Sequence, residues 1–292
     1  MCIYIAVVTD LKILLLYTKT NSSYECIQTH PLTRAVSTIR FSEDSSKIII
    51  ADKTGDVYVA EKINNWQPKL VLGHLSMLLD ALITPDDKCI ISCDRDEKIR
   101  VSAYPDTFNI IAYCLGHEEF VSSLDMLMEY PDVLFSASGD ATIRAWHYHT
   151  GQQLLCAKLT RAIVCMRVIL IEKHIFAIAS LYDSCDVNIC EISITTTNSM
   201  QCKMLQTISL PSQLIKFTVS ERTLWFLGNN YLMQFDFDTA NSCYVKKEDL
   251  VCSAEITELI SQNRSLNESN FVASLFKKQY NNVEEYHKRK QM

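Results

Sequence analysis

Glycine is scarce: six in 292 residues, at positions 55, 73, 116, 139, 151 and 228. No GxGxxG turn or P-loop can be assembled from them, so neither a dinucleotide nor a methyl-donor nucleotide finds its usual glycine turn. GxSxG, HExxH and DxDxDG are absent as well. Cations are outnumbered, 28 Lys and Arg against 34 Asp and Glu, for a net charge of −6. That excludes a protein that grips nucleic acid with its whole surface and leaves room only for a local basic patch. No window of 18 uncharged apolar residues occurs, so no helix is expected to span a membrane. The twelve cysteines contain no CxxC pair. Cys89 and Cys93 share one face of an apolar strand, and Cys185 and Cys190 are five apart. Neither spacing reads as zinc, and reduced, buried thiols are expected. His147 and His149 lack a third ligand nearby, so no metal is expected. Met1–Val8 is apolar but has no cationic start, and Asp10 and Lys12 follow at once. It is a poor signal peptide, and we expect an address inside the cell. The Asn-x-Ser sequons at Asn21, Asn263 and Asn267 then carry no consequence.

What is present is material for a core, 48% apolar, and a repeat. VLGHLSMLLDALITPDDKCIISCDRDEKIRVS from Val71 matches CLGHEEFVSSLDMLMEYPDVLFSASGDATIRAW from Cys114. Each has Gly-His, two apolar runs, a turn Asp and Ile-Arg. His74 and His117 are 43 residues apart, and Asp96 and Asp140 are 44 apart. Weaker copies keep the phase, with Ile13, Val57, Ile99, Ile143, Val187 and Leu232 as successive anchors spaced by 44, 42, 44, 44 and 45. Short apolar runs bounded by turn residues, four per period, with Gly-His at the start and a Trp on the third run, predict an all-β, WD40-type β-propeller. One four-stranded blade cannot bury both faces, so blades stack around an axis. His117, Ser136 (or Ser138), Asp140 and Trp146 should form a hydrogen-bonded chain. His74, Ser92 and Asp96 should repeat it without the indole. This trio is read as structural, not as a hydrolase triad.

The phase ends near residue 248. The expected division is a propeller over 1–248 and a helical, basic-ended extension over 249–292. Leu250, Ile256, Leu259 and Ile260 have helical spacing, as do Phe271, Val272 and Leu275, with Ser269 as the cap. About six blades are visible. Counting back from Ile13 by the 25 residues that separate His74 from Ile99 passes the first residue. The first blade is therefore expected to lack its innermost strand. The ring should be N-terminally incomplete, open between that blade and the residues after Leu232, and poorly soluble.

ADKTGDVY at 51–58, LGHLSMLLD at 72–80, TPDDKCIISCDRDEKIRVS at 84–102, LGHEEFVSS at 115–123 and SGDATIRAW at 138–146 resemble, in order and spacing, the WD-repeat, non-catalytic subunit of tRNA (guanine-N7-)-methyltransferase, the Wuho-type family. The resemblance is dense over 47–155, thin over 160–245, and returns in LFKKQYNNVEEYHKRK. It implies seven blades, no chemistry in this chain, and a heterodimer with a separate catalytic subunit that binds S-adenosylmethionine. The propeller would stabilise that subunit and help place tRNA for N7-methylguanosine formation in the variable loop. It would reside in the nucleus, with the cytoplasm as a second address. The resemblance puts partner docking at Glu118, Asp140 and Arg144. The position of Glu118 is often basic in relatives. Because the body is acidic, phosphate contacts are expected from the tail cations Lys277, Lys278, Lys288, Arg289 and Lys290. The other reading is a general WD40 interaction scaffold, such as a ubiquitin-ligase substrate receptor.

Overall fold

The computed structural model describes residues 4–21, 23–196, 199–228, 231–247 and 268–277. Six antiparallel sheets follow one another along the chain. Blade 1 has three strands, β1 (Tyr4–Val8), β2 (Ile13–Lys19) and β3 (Tyr24–Pro31). Blade 2 is β4 (Val36–Phe41), β5 (Lys47–Asp52), β6 (Asp56–Glu61) and β7 (Pro68–Gly73). Blade 3 is β8 (Leu78–Ile83), β9 (Cys89–Asp94), β10 (Ile99–Ala103) and β11 (Ile110–Cys114). Blade 4 is β12 (Val121–Leu127), β13 (Tyr130–Ser138), β14 (Thr142–His147) and β15 (Gln152–Lys158). Blade 5 is β16 (Ile163–Ile171), β17 (His174–Leu181), β18 (Asp186–Thr196) and β19 (Ser199–Ser209). Blade 6 is β20 (Leu214–Ser220), β21 (Thr223–Gly228), β22 (Tyr231–Asp238) and β23 (Cys243–Lys246). All six anchors fall on third strands, or on β2, which takes that place in blade 1. Among the described residues blade 1 has no counterpart to the innermost strand of the four-stranded blades.

The first strands β4, β8, β12, β16 and β20 pack side by side around the axis. Second strands lie between neighbouring blades and are covered on both faces. They therefore read as continuous apolar runs: all six residues of β9 are buried, and all but the first of β5 and β17. Outermost strands meet water, and β3 and β11 are mostly exposed. The core is a series of inter-blade clusters. Leu14 and Leu16 of blade 1 meet Ile48, Ile50 and Trp66 of blade 2. Further clusters join blades 2 and 3, 3 and 4, 4 and 5, and 5 and 6. The described residues give no cluster between blade 6 and blade 1, and Ile5 and Val7 of β1 are exposed. The three tryptophans stand in alternate blades: Trp66 in blade 2, Trp146 in blade 4 and Trp225 in blade 6.

One described helix, α1 (Glu268–Leu275), lies beyond the blades. Ser269 is inside it rather than capping it. The expected helix around Leu250–Ile260 and the domain boundary at 248 lie outside the described residues. Among the described residues ten cysteines are free thiols, and no group of His, Cys, Asp and Glu is arranged to hold a metal.

Candidate partner-docking corner at blades 3 and 4

The corner is built on two hydrogen-bonded chains. In blade 4, His117 Nδ1 meets Asp140 Oδ2 at 2.9 Å and His117 Nε2 meets Ser136 Oγ at 2.8 Å. The Trp146 indole donates to Ser136 Oγ at 2.8 Å. A neutral imidazole with its proton on Nδ1 satisfies every group: indole to serine, serine to Nε2, Nδ1 to carboxylate. Burial pushes the His117 pKa below its ordinary value, against the pull of Asp140. Burial alone would raise the Asp140 carboxyl. Hydrogen bonds from His117 and Thr142 outweigh it and hold that group well below the usual carboxylate range. Ser136 is fully buried and its oxygen is already shared between His117 and Trp146. No substrate reaches it, so the chain is architecture and not a nucleophile relay.

Blade 3 corrects one expectation. The acid on His74 is Asp94, not Asp96: His74 Nδ1 meets Asp94 Oδ2 at 2.9 Å, and Nε2 meets Ser92 Oγ at 2.8 Å. Asp96 is half-exposed, and its carboxylate lies 3.6 Å from Arg95. Asp94 occupies the place of Ser138 in blade 4. Ser138 Oγ accepts the Asp140 N–H, and Asp94 Oδ1 accepts the Asp96 N–H in the same way. The longer carboxylate does both tasks, folding the turn with one oxygen and orienting the histidine with the other. Ser102 stands where blade 4 has Trp146, and its buried hydroxyl has no partner. Blade 2 keeps the turn acid alone. Asp52 Oδ1 gathers the N–H groups of Thr54, Gly55 and Asp56, and the backbone at Gly55 has φ of 110°. Its Oδ2 has no partner among the described residues, and Leu32 stands four residues before β4, the place that His74 and His117 take before β8 and β12.

The three residues assigned to docking come together around Asp140, but they differ in access. Glu118 is exposed, and its backbone N–H donates to Asp140 Oδ2 at 3.1 Å. Asp140 is buried. Arg144 is 12% exposed and turned into the blade. Its Nη1 donates to Gln153 Oε1 at 2.7 Å and its Nε to Thr142 Oγ1 at 3.2 Å, while Nη2 lies 3.8 Å from Asp140. Gly116 leaves room for this path, since a Cβ there would stand 2.3 Å from Arg144 Nη1. Only Glu118 presents a free side chain outward.

Of the tail cations, Lys277 alone is described. Its ammonium pairs with Glu97 at 2.7 Å and donates to the Glu118 carbonyl at 2.9 Å. Its side chain is half-exposed, and its ammonium is already engaged within the chain. Lys278, Lys288, Arg289 and Lys290 lie outside the described residues.

The sequence reading missed the charges inside the channel. Arg40 of β4 pairs with Asp80 of β8 at 2.6 Å and with Asp125 of β12 at 3.5 Å. Arg167 of β16 reaches Asp125 at 3.7 Å. Asp80 also accepts the Leu124 N–H, and Asp125 the Val168 N–H, so the network pins four neighbouring innermost strands. Burial would lower the Arg40 pKa, but Asp80 and Asp125 keep it raised. Burial leaves the Asp125 carboxyl raised despite both arginines. The signal available was a charged residue within each of these short apolar strands. Arg40, Asp80 and Arg167 of this network line a cavity of about 200 Å³.

The family model for the WD40 domain of tRNA methyltransferase TRM82 matches residues 59–229. The tRNA (guanine-N(7)-)-methyltransferase non-catalytic subunit wuho of Drosophila pseudoobscura pseudoobscura is 34% identical over 96% of this chain and 72% of its own length. Its counterpart in Drosophila grimshawi is 36% identical over 96% and 74%. The non-catalytic subunit wdr4 of Danio rerio is 47% identical over 52% of this chain and 37% of its own. A functionally unknown protein from Desulfotomaculum acetoxidans superposes with a TM-score of 0.64 at 12% identity, over 84% of this chain and 78% of its own, a likeness of fold alone.

Proposed function

Because the chain belongs to the family of WD-repeat, non-catalytic subunits of tRNA (guanine-N7-)-methyltransferase, we propose that it serves as the rigid scaffold of a heterodimer. Its partner is a catalytic subunit that binds S-adenosylmethionine, and this chain holds no cofactor of its own. The propeller stabilises the partner and helps place tRNA for methylation of a variable-loop guanosine at N7, chiefly in the nucleus. The observation that supports this reading most is the corner at Glu118. Its backbone is fixed by Asp140, Asp140 is fixed by His117 and Thr142, and Arg144 backs the turn from inside. A carboxylate carried on a backbone held this way meets a partner without losing loop freedom at the moment of docking. The complementary group on the partner is a cation. Asp140 and Arg144 act as positioning residues behind Glu118. The four tail cations from Lys278 onward supply phosphate contacts.

Co-expression with the catalytic subunit, size-exclusion chromatography and a tRNA methylation assay test this reading. Glu118→Lys should weaken the complex by roughly tenfold or more, while the melting temperature of the free chain holds. Unchanged affinity would place docking on another face. Methyl transfer by this chain alone would overturn the scaffold assignment.

A further inference from the structure

We propose that the channel mouth over blades 3 to 5 is an exchangeable docking site for a basic-ended amphipathic helix of a protein partner, and that α1 is its intramolecular occupant. The cup is made by the blades themselves. Met77 and Leu79 from blade 3, Phe120 from blade 4, and Val164 and Tyr182 from blade 5 surround Val272 and Leu275 of α1. Phe120 is held in place by the neighbouring turn: Gly139 N–H donates to its carbonyl at 2.9 Å, and a Cβ at 139 would stand 2.4 Å from its ring. Phe276 wedges between two rings, 5.1 Å from Phe120 and 5.3 Å from Tyr182. Lys53 of blade 2 lies 4.5 Å over the Phe271 ring.

The rim of the cup is acidic. Glu97 takes the Lys277 ammonium, Glu119 Oε2 accepts its backbone N–H at 3.2 Å, and Asp96 adds to the field. The site therefore reads two apolar pairs one helical turn apart followed by a cation, Phe271-Val272-x-x-Leu275-Phe276-Lys277 in this chain. The occupant is held lightly. α1 has eight residues, too few to be stable alone in water. Over Phe271–Lys277, Val272 and Leu275 are buried, Phe271 and Phe276 are half-buried, and Ala273 and Ser274 face solvent. An element with so few buried contacts opens before the strands beneath it. A partner helix with the same pattern then competes for a cup that is already formed.

The test uses the full chain and a fluorescent peptide of residues 268–278. In the chain carrying Val272→Asp and Leu275→Asp the cup is vacated. The peptide should bind it with a Kd of about 0.1 mM, the range of a short helix in a groove. The unaltered chain should bind roughly tenfold more weakly, because its own helix competes at an effective concentration on the order of 1 mM. Adding Glu97→Lys to the vacated chain should weaken binding several-fold, and a peptide with the two aspartates should not bind. Failure of the vacated, folded chain to bind at about 1 mM peptide, or equal binding to both chains, overturns the proposal. If the double variant does not fold, hydrogen exchange on the unaltered chain decides. Amides 272–276 exchanging about 100-fold faster than those of β12 and β16 support exchange of the helix. Equal protection would make α1 a fixed part of the core and overturn it.

Discussion

Replacing Asp94 and Asp96 separately by alanine distinguishes the geometry of blade 3 from the pattern of its sequence. Asp94 is 3% exposed at its side chain and its histidine partner is 4% exposed. The carboxylate accepts three hydrogen bonds, from His74 Nδ1, the Asp96 N–H at 3.0 Å and the Lys98 N–H at 3.1 Å. Its removal strands a buried imidazole and two turn amides at once. Losing one member of a buried, hydrogen-bonded polar pair costs about 3–5 kcal/mol. At roughly 2–4 °C per kcal/mol for a domain of this size, Asp94→Ala should lower the melting temperature by about 6–20 °C. Asp96 is 47% exposed, and its one ion pair, at 3.6 Å to Arg95, is a surface contact. Asp96→Ala should cost less than about 0.5 kcal/mol, within about 2 °C. Paired thermal and urea melts of the free chain read both. Equal losses, or a larger loss at Asp96, would refute the assignment of the His74 acceptor and the reasoning about Asp94 with it.

Three further outcomes are expected. Arg40→Met should destabilise the chain by about 3–5 kcal/mol in urea melts, because it leaves Asp80 buried without its cation; a loss under about 1 kcal/mol would mean that the backbone donors at Leu124 and Ala81 suffice. His117 has a depressed pKa in the fold, so its contribution is complete above the unfolded value near 6.5 and is lost as pH falls below it; Asp140, also depressed, adds its own loss below about pH 4. His117→Gln should flatten the first limb of a stability-against-pH curve and leave the second in place. Neutralising Lys278, Lys288, Arg289 and Lys290 should reduce the salt slope of tRNA binding by the complex by roughly 0.7–0.9 for each phosphate that no longer meets a cation, while Lys277→Ala alone should leave it unchanged.

Much of this architecture was legible in the chain because it is repeated. The six anchors from Ile13 to Leu232 recur at a near-constant interval since each occupies the same strand of the same motif, and a repeat needs no knowledge of the rest of the molecule. The blade 4 chain from His117 to Trp146 was legible for the same reason. Asp96 was misread because aligning blades on Ile99 and Ile143 equates it with Asp140, while the residue that reaches His74 depends on side-chain length two positions earlier. Arg144 shows another limit: exposure is set by Thr142 and Gln153 beside it, and a motif does not record which way a guanidinium turns. The channel network was illegible as a unit because Arg40, Asp80, Asp125 and Arg167 meet only when four blades close around one axis. The seating of α1 likewise joins residues more than 150 positions apart, from Phe120 to Phe276.

The placement of the three tryptophans turns the propeller into its own optical instrument. Trp66 and Trp146 are enclosed and Trp225 is partly so, one in each of blades 2, 4 and 6. Phenylalanine substitution of any two leaves a single emitter that reports the loosening of one sector. Trp146 differs from the others because its indole proton is bound to Ser136, so its emission follows the state of that hydrogen bond as well as solvent entry. Stacked units joined mainly to their neighbours can separate one at a time or all together. Three coincident emission transitions would describe a ring that melts as one body, and staggered ones would give the order in which its sectors come apart.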